Sequence, residues 1–325
     1  MARTSSASLA AAVTNAGGMG VIGGLGYTPA QLTSIIHDLK SHLRDPGLPF
    51  GVDLALPQVG GTARKTNHDY TKGNLDELVE VIIAEGARLF VSAVGVPPKR
   101  VIERLHEKGM LIMNMVGHPK HAKKAFEAGV DIVCAQGGEG GGHTGDISGN
   151  ILIPAVVEVA KRYKSPITGE TALVVAAGGI YNGAGVAAAL MQGASGVWVG
   201  TRFVASVEAG CSELHKEAVV TASFEDTGRT LVVSGRPLRV RINEYIRDWH
   251  ERPEEIKRLT EVEGLVPMEK DMDDDKDVDM PFLMGQVAGV IGDIKPAKEI
   301  VEELVGDAVA MLRKGQGYIS VPSKL

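Results

Sequence analysis

The middle of the chain alternates short apolar runs with amphipathic runs of helical period. Several apolar runs are continuous, as expected for strands buried on both faces of a parallel sheet. Strands are predicted at residues 19–22, 50–54, 89–94, 110–115, 131–135, 173–177 and 196–199. Helices are predicted at residues 6–15, 29–42, 75–85, 98–108, 120–128, 151–163, 183–192 and 297–313. This alternation predicts an α/β fold.

Seven predicted strands leave two architectures open. One is a doubly wound sheet, and the other is a TIM-type (β/α)8 barrel, which has eight strands and begins with one of them. This chain begins with the helix predicted at 6–15. In the barrel architecture, the first strand would therefore be missing from the sequence.

The alternation stops after Gly200, and residues 208–270 are polar and helix-leaning, with one β-like run at 230–234. Residues 271–279 contain six aspartates. We interpret this acidic loop as a solvated linker, because Lys276 and Phe282 replace the glycine and glutamate that a calcium loop requires. We therefore expect a barrel formed by residues 1–207 and 285–325, with a helical insertion at 208–284 that caps one end.

The bulk composition of the chain bounds its class. Its 325 residues are 44% hydrophobic, enough for a large core, and a net charge of −6 disfavours a nucleic-acid surface. Cys134 and Cys211 lack the spacing of a metal or redox pair, so we expect no metal site and no disulfide framework. The chain ends in Ser323-Lys324-Leu325, a peroxisomal address. We expect the peroxisomal import receptor to be a partner, and a cytoplasmic location otherwise.

A glycine-rich stretch at residues 131–149 contains the candidate chemistry. It begins as a strand, reaches Gln136, and then surrounds one glutamate and His143 with glycines. Such a cluster lets the backbone pass close to a flat or charged ligand. His143 is the only side chain there that exchanges protons near neutral pH. We favour a proton-transfer or ligand-polarising role over that of a structural loop histidine.

Two later strands end in glycines in the same way. Gly178 and Gly179 follow the strand at 173–177, while Gly200 and Thr201 follow the strand at 196–199. In a barrel these would be the last two strands, where backbone N–H groups, the threonine hydroxyl and a helix N-terminus commonly bind phosphate. Close packing of strand against helix is the alternative explanation for the glycines.

Two further features are less specific. Residues 18–23 match the GxGxxG pattern, but they follow a helix and contain a strand, which is the wrong context for a dinucleotide site. Asp53 interrupts an apolar strand, so it requires a partner. It either faces a ligand at the strand end or satisfies backbone donors.

Six blocks in order resemble the flavin-dependent nitronate monooxygenases, also called 2-nitropropane dioxygenases. They are AVTNAGGMGVIGG (12–24), PFGVDLALP (49–57), AQGGEGGGHTGD (135–146), VVAAGGI (174–180), GVWVGTRFVAS (196–206) and GQVAGVI (285–291). The FMN-dependent enoyl-ACP reductases are similar in the same blocks, including the GGH and GTRF motifs. The blocks are therefore more specific for the superfamily than for the substrate.

The resemblance implies a (β/α)8 barrel that holds one non-covalent FMN at the C-terminal ends of its strands. Its phosphate would be bound by Gly178, Gly179, Gly200 and Thr201, and Gln136, Gly141 and Gly142 would line the flavin. His143 matches the catalytic histidine of the family, which accepts the α-proton of a nitroalkane or orients a nitronate anion. Flavin and O2 would then convert the substrate to a carbonyl compound and nitrite.

The N-terminus departs from the family pattern. Family members begin with a strand that ends in a Pro-Met-Ala-like turn touching the flavin, and here Met1 and Ala2 stand where that turn ends. An absent strand exposes two unpaired sheet edges. We therefore expect this chain to bind FMN weakly or to express insolubly.

Three functions compete at this point. The first is oxidation of alkyl nitronates by a flavin enzyme. The second is an NAD(P)H-dependent flavin reductase acting on an enoyl thioester or a quinone. The third is a degenerate barrel with a binding or structural role. The resemblance favours the first.

Overall fold

The structure is a computed structural model that describes residues 4–319. Met1, Ala2 and Ser323-Lys324-Leu325 lie outside the described residues. The flavin contact expected of the first two and the import signal expected of the last three therefore stay predictions.

Ten strands follow one another along the described chain. They are β1 (Gly20–Gly23), β2 (Phe50–Ala55), β3 (Leu89–Ala93), β4 (Leu111–Val116), β5 (Ile132–Gln136), β6 (Gly142–His143), β7 (Leu173–Ala177), β8 (Gly196–Trp198), β9 (Thr227–Thr230) and β10 (Leu238–Arg241). All strands but β6, β9 and β10 form one parallel sheet of seven strands. The seven strands predicted from continuous apolar runs are confirmed.

The helices lie mostly between these strands. They are α1 (Ala7–Asn15), α2 (Pro29–His42), α3 (Leu75–Ala84), α4 (Lys99–His106), α5 (Pro119–Glu127), α6 (Gly149–Ala160), α7 (Gly183–Met191), α8 (Thr201–Val204), α9 (Glu213–Val220), α10 (Glu244–His250), α11 (Pro253–Lys257), α12 (Pro267–Asp273) and α13 (Ala297–Gln316). A π-helical turn spans Arg258–Glu263, and a 3-10 turn spans Gln286–Val290. The eight predicted helices are all present, with ends shifted by a few residues.

The order of strands in the parallel sheet is β1-β2-β3-β4-β5-β7-β8. A doubly wound sheet reverses direction partway through its strand order. This sheet never reverses and instead curls into most of a barrel, so the doubly wound alternative is excluded. Among the described residues, β1 pairs only with β2 and β8 pairs only with β7. The chain thus forms a TIM-type barrel in which one strand position, between β1 and β8, is open.

A cavity of about 230 Å³ fills part of this opening. Its wall comes from both sheet edges and from helices α1, α7, α8 and α13, and it includes Leu9, Val21, Asp53, Trp198 and Leu304. The side chain of Ser5 donates a hydrogen bond to the carbonyl oxygen of Val21 on the open edge of β1. The segment that precedes α1 thereby supplies a donor for one backbone acceptor of the β1 edge.

The sheet separates two apolar layers. One face packs under the helices and forms the main core, with Val52, Phe90 and Ile112 among its buried side chains. The other face fills the barrel lumen, where Val91 and Cys134 are fully buried. Burial raises the pKa of the Cys134 thiol, so this cysteine stays protonated and behaves as an apolar core residue.

Residues 208–284 carry α9 to α12 as expected, and also a β-hairpin formed by β9 and β10. The strand predicted at 230–234 is wrong, because β9 ends at Thr230 and a turn follows. The apolar residues of that run pack into a cluster with Ile246 and Trp249 instead of joining a strand ladder, with Val232 fully buried there. The division into a barrel and an insertion at residues 207 and 285 stays a prediction.

The acidic loop is not a solvated linker along its whole length. Asp271 belongs to α12 and is 4% exposed, and its carboxylate accepts hydrogen bonds from Tyr245, Trp249 and Lys276. Within residues 4–319, no cluster of three or more histidine, cysteine or acidic side chains has the arrangement of a metal site. In the same part of the chain, none of the helices has the length and apolar character of a membrane span.

Candidate active site

The candidate site lies at the C-terminal ends of β5, β7 and β8, which parallel pairing brings to one edge of the sheet. Gln136, the last residue of β5, pairs in register with Ala177, and Ala177 pairs with Trp198. Gly178 directly follows Ala177, and Val199 alone separates Gly200 from the end of β8. The structure therefore brings together Gln136, Gly178, Gly179, Gly200 and Thr201, as the sequence predicts for a barrel.

Close backbone packing explains two glycines of the candidate site, Gly178 and Gly141. Gly178 has a φ of +82°, and a Cβ there would lie 2.8 Å from the carbonyl oxygen of Gly137. A Cβ on Gly141 would lie 2.6 Å from the carbonyl carbon of Met284. The segment after the insertion thus folds back onto the glycine loop, where the Gln286 amide donates to Glu139 O at 3.0 Å. A side chain at Gly178 would push the loop after β7 away from the glycine loop, and a side chain at Gly141 would push the glycine loop away from the returning segment.

Thr201 is buried beside the same returning segment. Its hydroxyl oxygen accepts a hydrogen bond from the Gly285 amide at 2.9 Å, which leaves the hydroxyl hydrogen free to donate. Arg202, the next residue, forms an ion pair with Asp293 at 2.7 Å and also donates to the carbonyl oxygens of Ala205 and Asp293. Thr201 and Arg202 of the GTRF motif thus have different partners, and Thr201 is the one that contacts the returning segment.

His143 lies on a strand, not on a free loop. The short strand β6 pairs antiparallel with β10, so that His143 stands opposite Leu238. On its other side, the Gln136 side chain donates to the backbone carbonyl of His143 at 3.0 Å. The backbone that carries the imidazole is therefore fixed from both the barrel and the hairpin.

The imidazole itself contacts the hairpin turn. Nε2 of His143 lies 2.9 Å from Oγ of Ser234. Burial and, as the smaller cause, the positive charge of Arg236 together lower the pKa of His143 to about 4. A histidine in this environment is neutral at pH 7, so it can accept a proton or a hydrogen bond from a substrate.

Asp53 points into the lumen from β2, beside its register partner Val91. The side chain as a whole is half-buried, yet its Oδ1 is sealed from solvent and has no hydrogen-bond partner among the described residues. Burial raises the pKa of Asp53 to about 6. The sequence left two roles open for Asp53, facing a ligand or accepting from backbone donors. Among the described residues, no backbone donor reaches Oδ1. The carboxyl instead lines the cavity between β1 and β8.

Ser234 and Arg236 are site residues that sequence reasoning missed. They belong to the turn between β9 and β10, which includes Gly235 with a φ of +63°. The run Ser-Gly-Arg-Pro is a recognisable turn signal. Nothing local in that run indicates that the turn docks against His143, because the docking depends on contacts 91 residues apart.

The fold and site together define a barrel enzyme with a neutral histidine at the C-terminal ends of its strands, and comparison with known proteins places it more narrowly. Residues 1–307 match the family Nitronate monooxygenase. The chain therefore belongs to the nitronate monooxygenase family and is an enzyme of the monooxygenase class.

Individual relatives are similar over almost the whole chain. The nitronate monooxygenase of Neurospora crassa is 30% identical, over 95% of this chain and 88% of that protein. The nitroalkane oxidase structure from Streptomyces ansochromogenes has a TM-score of 0.78 at 28% identity, covering 96% of this chain and 94% of its own. The FabK structure from Thermotoga maritima has a TM-score of 0.77 at 32% identity, covering 98% of this chain and 94% of its own.

Proposed function

We propose that this protein uses FMN to oxidise alkyl nitronates with O2, giving a carbonyl compound and nitrite. The observation that carries the proposal is the neutral imidazole of His143, held against Ser234 beside the glycine loops of β5 and β7. The family match supplies the reaction class. Neutral nitroalkanes are a second substrate class, since a base at this position can remove their α-proton.

The residues at the strand ends are compatible with a flavin. Gln136, Gly141 and Gly142 would line it, while Gly178, Gly179, Gly200 and Thr201 would hold its phosphate. Two observations support this fit: within residues 4–319, the Thr201 hydroxyl accepts from Gly285 and keeps its hydrogen available beside the strand ends, and Oδ1 of Asp53 is sealed from solvent with no donor. When bound, the flavin supplies the electron-accepting group that links substrate oxidation to O2.

The protein's own contribution is proton control and orientation. His143 would take the α-proton of a neutral nitroalkane at its unprotonated ring nitrogen. For a nitronate, which has already lost that proton, the same imidazole would only orient the anion. Ser234 fixes the plane of the ring, and the β9–β10 hairpin covers it against bulk water. Neutral nitroalkanes should therefore depend on His143 more strongly than nitronates do.

The second candidate is an NAD(P)H-dependent flavin reductase that acts on an enoyl thioester or a quinone. The likeness to FabK, at 32% identity and a TM-score of 0.77, is the observation that favours it. A reductase needs a route for NAD(P)H to reach the flavin, whereas the proposed oxidation needs only a small anion and O2.

Steady-state oxidation tests the proposal. Protein reconstituted with FMN is given an alkyl nitronate in aerated buffer, and O2 consumption and nitrite release are followed together. The proposal predicts that both rise with protein concentration and that His143→Ala reduces turnover of the neutral nitroalkane far more than that of the nitronate. Absence of nitrite with flavin bound would contradict it.

A further inference from the structure

The turn between β9 and β10 places an arginine over the mouth of the barrel. Arg236 follows Ser234 by two residues, and Ser234 contacts the His143 ring at 2.9 Å. Its guanidinium extends to the end of β3, where it donates to the carbonyl oxygen of Val94 at 3.2 Å, and to the Asn67 side chain at 3.0 Å. Arg236 therefore joins the hairpin to the rim of the barrel next to the candidate base.

No carboxylate within the described part of the chain neutralises the charge of this arginine. Both of its acceptors, an amide oxygen and a backbone carbonyl, are uncharged. The ion pairs found within residues 4–319 give Arg236 no carboxylate partner, whereas the more deeply buried Arg202 has Asp293 at 2.7 Å. Burial lowers the pKa of Arg236, and the like charge of Arg64 acts in the same direction. A half-buried cation without a counter-charge favours an anion from outside.

The backbone that receives Arg236 is strained. Val94 has a φ of 71°, a left-handed conformation that is an outlier for a β-branched residue. Such conformations persist where surrounding contacts hold them, and they concentrate at functional sites. Here the conformation belongs to the residue whose carbonyl oxygen accepts from the guanidinium. The arginine is thus bound to a backbone segment whose conformation is fixed by its surroundings.

We propose that Arg236 is the anion-binding residue of the substrate site and selects substrates that carry a planar, two-oxygen anion next to the atom that His143 serves. A guanidinium presents paired N–H groups that match such an anion, as they match a carboxylate. Within residues 4–319 the Arg236 guanidinium makes two donor–acceptor contacts, so N–H groups remain for a ligand. This inference rests on the proposed function, in which the nitronate group is that anion.

Competition with nitrate, a planar anion that cannot be oxidised in this way, tests the proposal. The dissociation constant for nitrate is measured by calorimetry on flavin-loaded protein, and the KM values for a nitronate and for its parent nitroalkane are measured separately. Arg236→Met should weaken nitrate binding and raise the nitronate KM by about ten- to a hundred-fold, the strength of a charge-assisted hydrogen-bond pair. The nitroalkane KM should change less than about two-fold, since no anion is present.

Two variants separate this role from general effects. Arg64→Met removes a neighbouring exposed positive charge and should leave nitrate affinity within about two-fold of the parent value, because long-range charge is screened. Arg236→Lys keeps the positive charge but lacks the paired N–H groups of a guanidinium, so it should show an intermediate loss of nitrate affinity. This variant tests the role of Arg236 if Arg236→Met does not fold. Unchanged nitrate affinity in a folded Arg236 variant, or equal KM changes for both substrates, would overturn the inference.

The experiment also distinguishes failure of the proposed function. If the parent protein binds nitrate through Arg236 but releases no nitrite from a nitronate, the anion site stands and the proposed reaction falls. If nitronate is turned over and nitrate affinity does not depend on Arg236, the reaction stands and the assignment of Arg236 falls.

Discussion

Nε2 of His143 lies 2.9 Å from Oγ of Ser234, across 91 residues of sequence. The barrel supplies the imidazole, and the hairpin inserted after the last barrel strand supplies the hydroxyl that holds it. The orientation of the candidate base therefore depends on docking of the β9–β10 hairpin against the barrel.

Removing the Ser234 hydroxyl should leave His143 in the site but with its ring less firmly oriented. Ser234→Ala is expected to lower kcat for a neutral nitroalkane by about ten-fold, the strength of one buried hydrogen bond. The effect on a nitronate should be smaller, because no proton is removed. Steady-state kinetics on both substrates measures this, with Ser41→Ala as the control, since Ser41 is exposed and its hydroxyl contacts only its own helix, at Asp38 O and His42 Nδ1. Equal kinetics in Ser234→Ala and the parent would show that the contact is not functional.

The lowered pKa of His143 predicts a pH profile. Because its pKa in the folded protein is about 4, the imidazole is neutral above that value and protonated below it. The kcat/KM for a neutral nitroalkane should be flat with respect to this group from pH 5 to pH 8, and it should fall as pH drops through about 4. A fall centred near 6.5, the ordinary value for histidine, would mean that the ring is solvated in the working enzyme.

Asp53 should make the protein less stable at neutral pH. Its pKa is raised to about 6 in the fold, so the stability linked to its bound proton is present below pH 4 and lost as pH rises through 6. Asp53→Asn keeps the shape and removes the charge, and it should raise the free energy of unfolding at pH 7 by up to roughly 3 kcal/mol. Urea unfolding at pH 4 and pH 7 checks this, with the exposed Asp248→Asn as the control. A loss of stability at pH 7 would indicate that the carboxylate is satisfied there.

A methyl group at Gly141 should separate the glycine loop from the returning segment. Its Cβ would lie 2.6 Å from a backbone atom of Met284, and backbone on both sides leaves little room to adjust. Gly141→Ala is expected to cost about 1–3 kcal/mol of stability, which thermal unfolding measures. Gly306, in α13, has open space at the Cβ position, so Gly306→Ala should be neutral or stabilising. Similar midpoints for both variants would contradict the packing described for Gly141.

The two edges of the barrel should be its least protected strands. Within the described chain, β1 and β8 each pair on one side only, whereas β3, β4 and β5 pair on both. Amide hydrogen exchange should therefore be faster in residues 20–23 and 196–198 than in the central strands. Uniform protection across all seven strands would indicate that another segment pairs with the open edges in solution.

Much of this arrangement is predictable from the sequence. The continuous apolar runs predict all seven barrel strands, and the glycines after β5, β7 and β8 indicate the candidate site because parallel strand ends share an edge. The apolar run at 230–234 wrongly suggests a strand, because its apolar residues pack against Trp249 rather than joining a strand ladder. Ser234 and Arg236 could not be placed beside His143, since hairpin docking depends on contacts distant in sequence.

The proposed function requires that an alkyl nitronate, and not NAD(P)H, reduces the bound flavin. Anaerobic mixing of FMN-loaded protein with an alkyl nitronate, and separately with NADH or NADPH, tests it most directly through the visible absorbance of the flavin. The nitronate should bleach the flavin, O2 should restore the colour with release of nitrite, and neither nicotinamide nucleotide should bleach it at a comparable rate. Bleaching by NADH or NADPH without bleaching by the nitronate would overturn the proposed oxidation and favour the reductase.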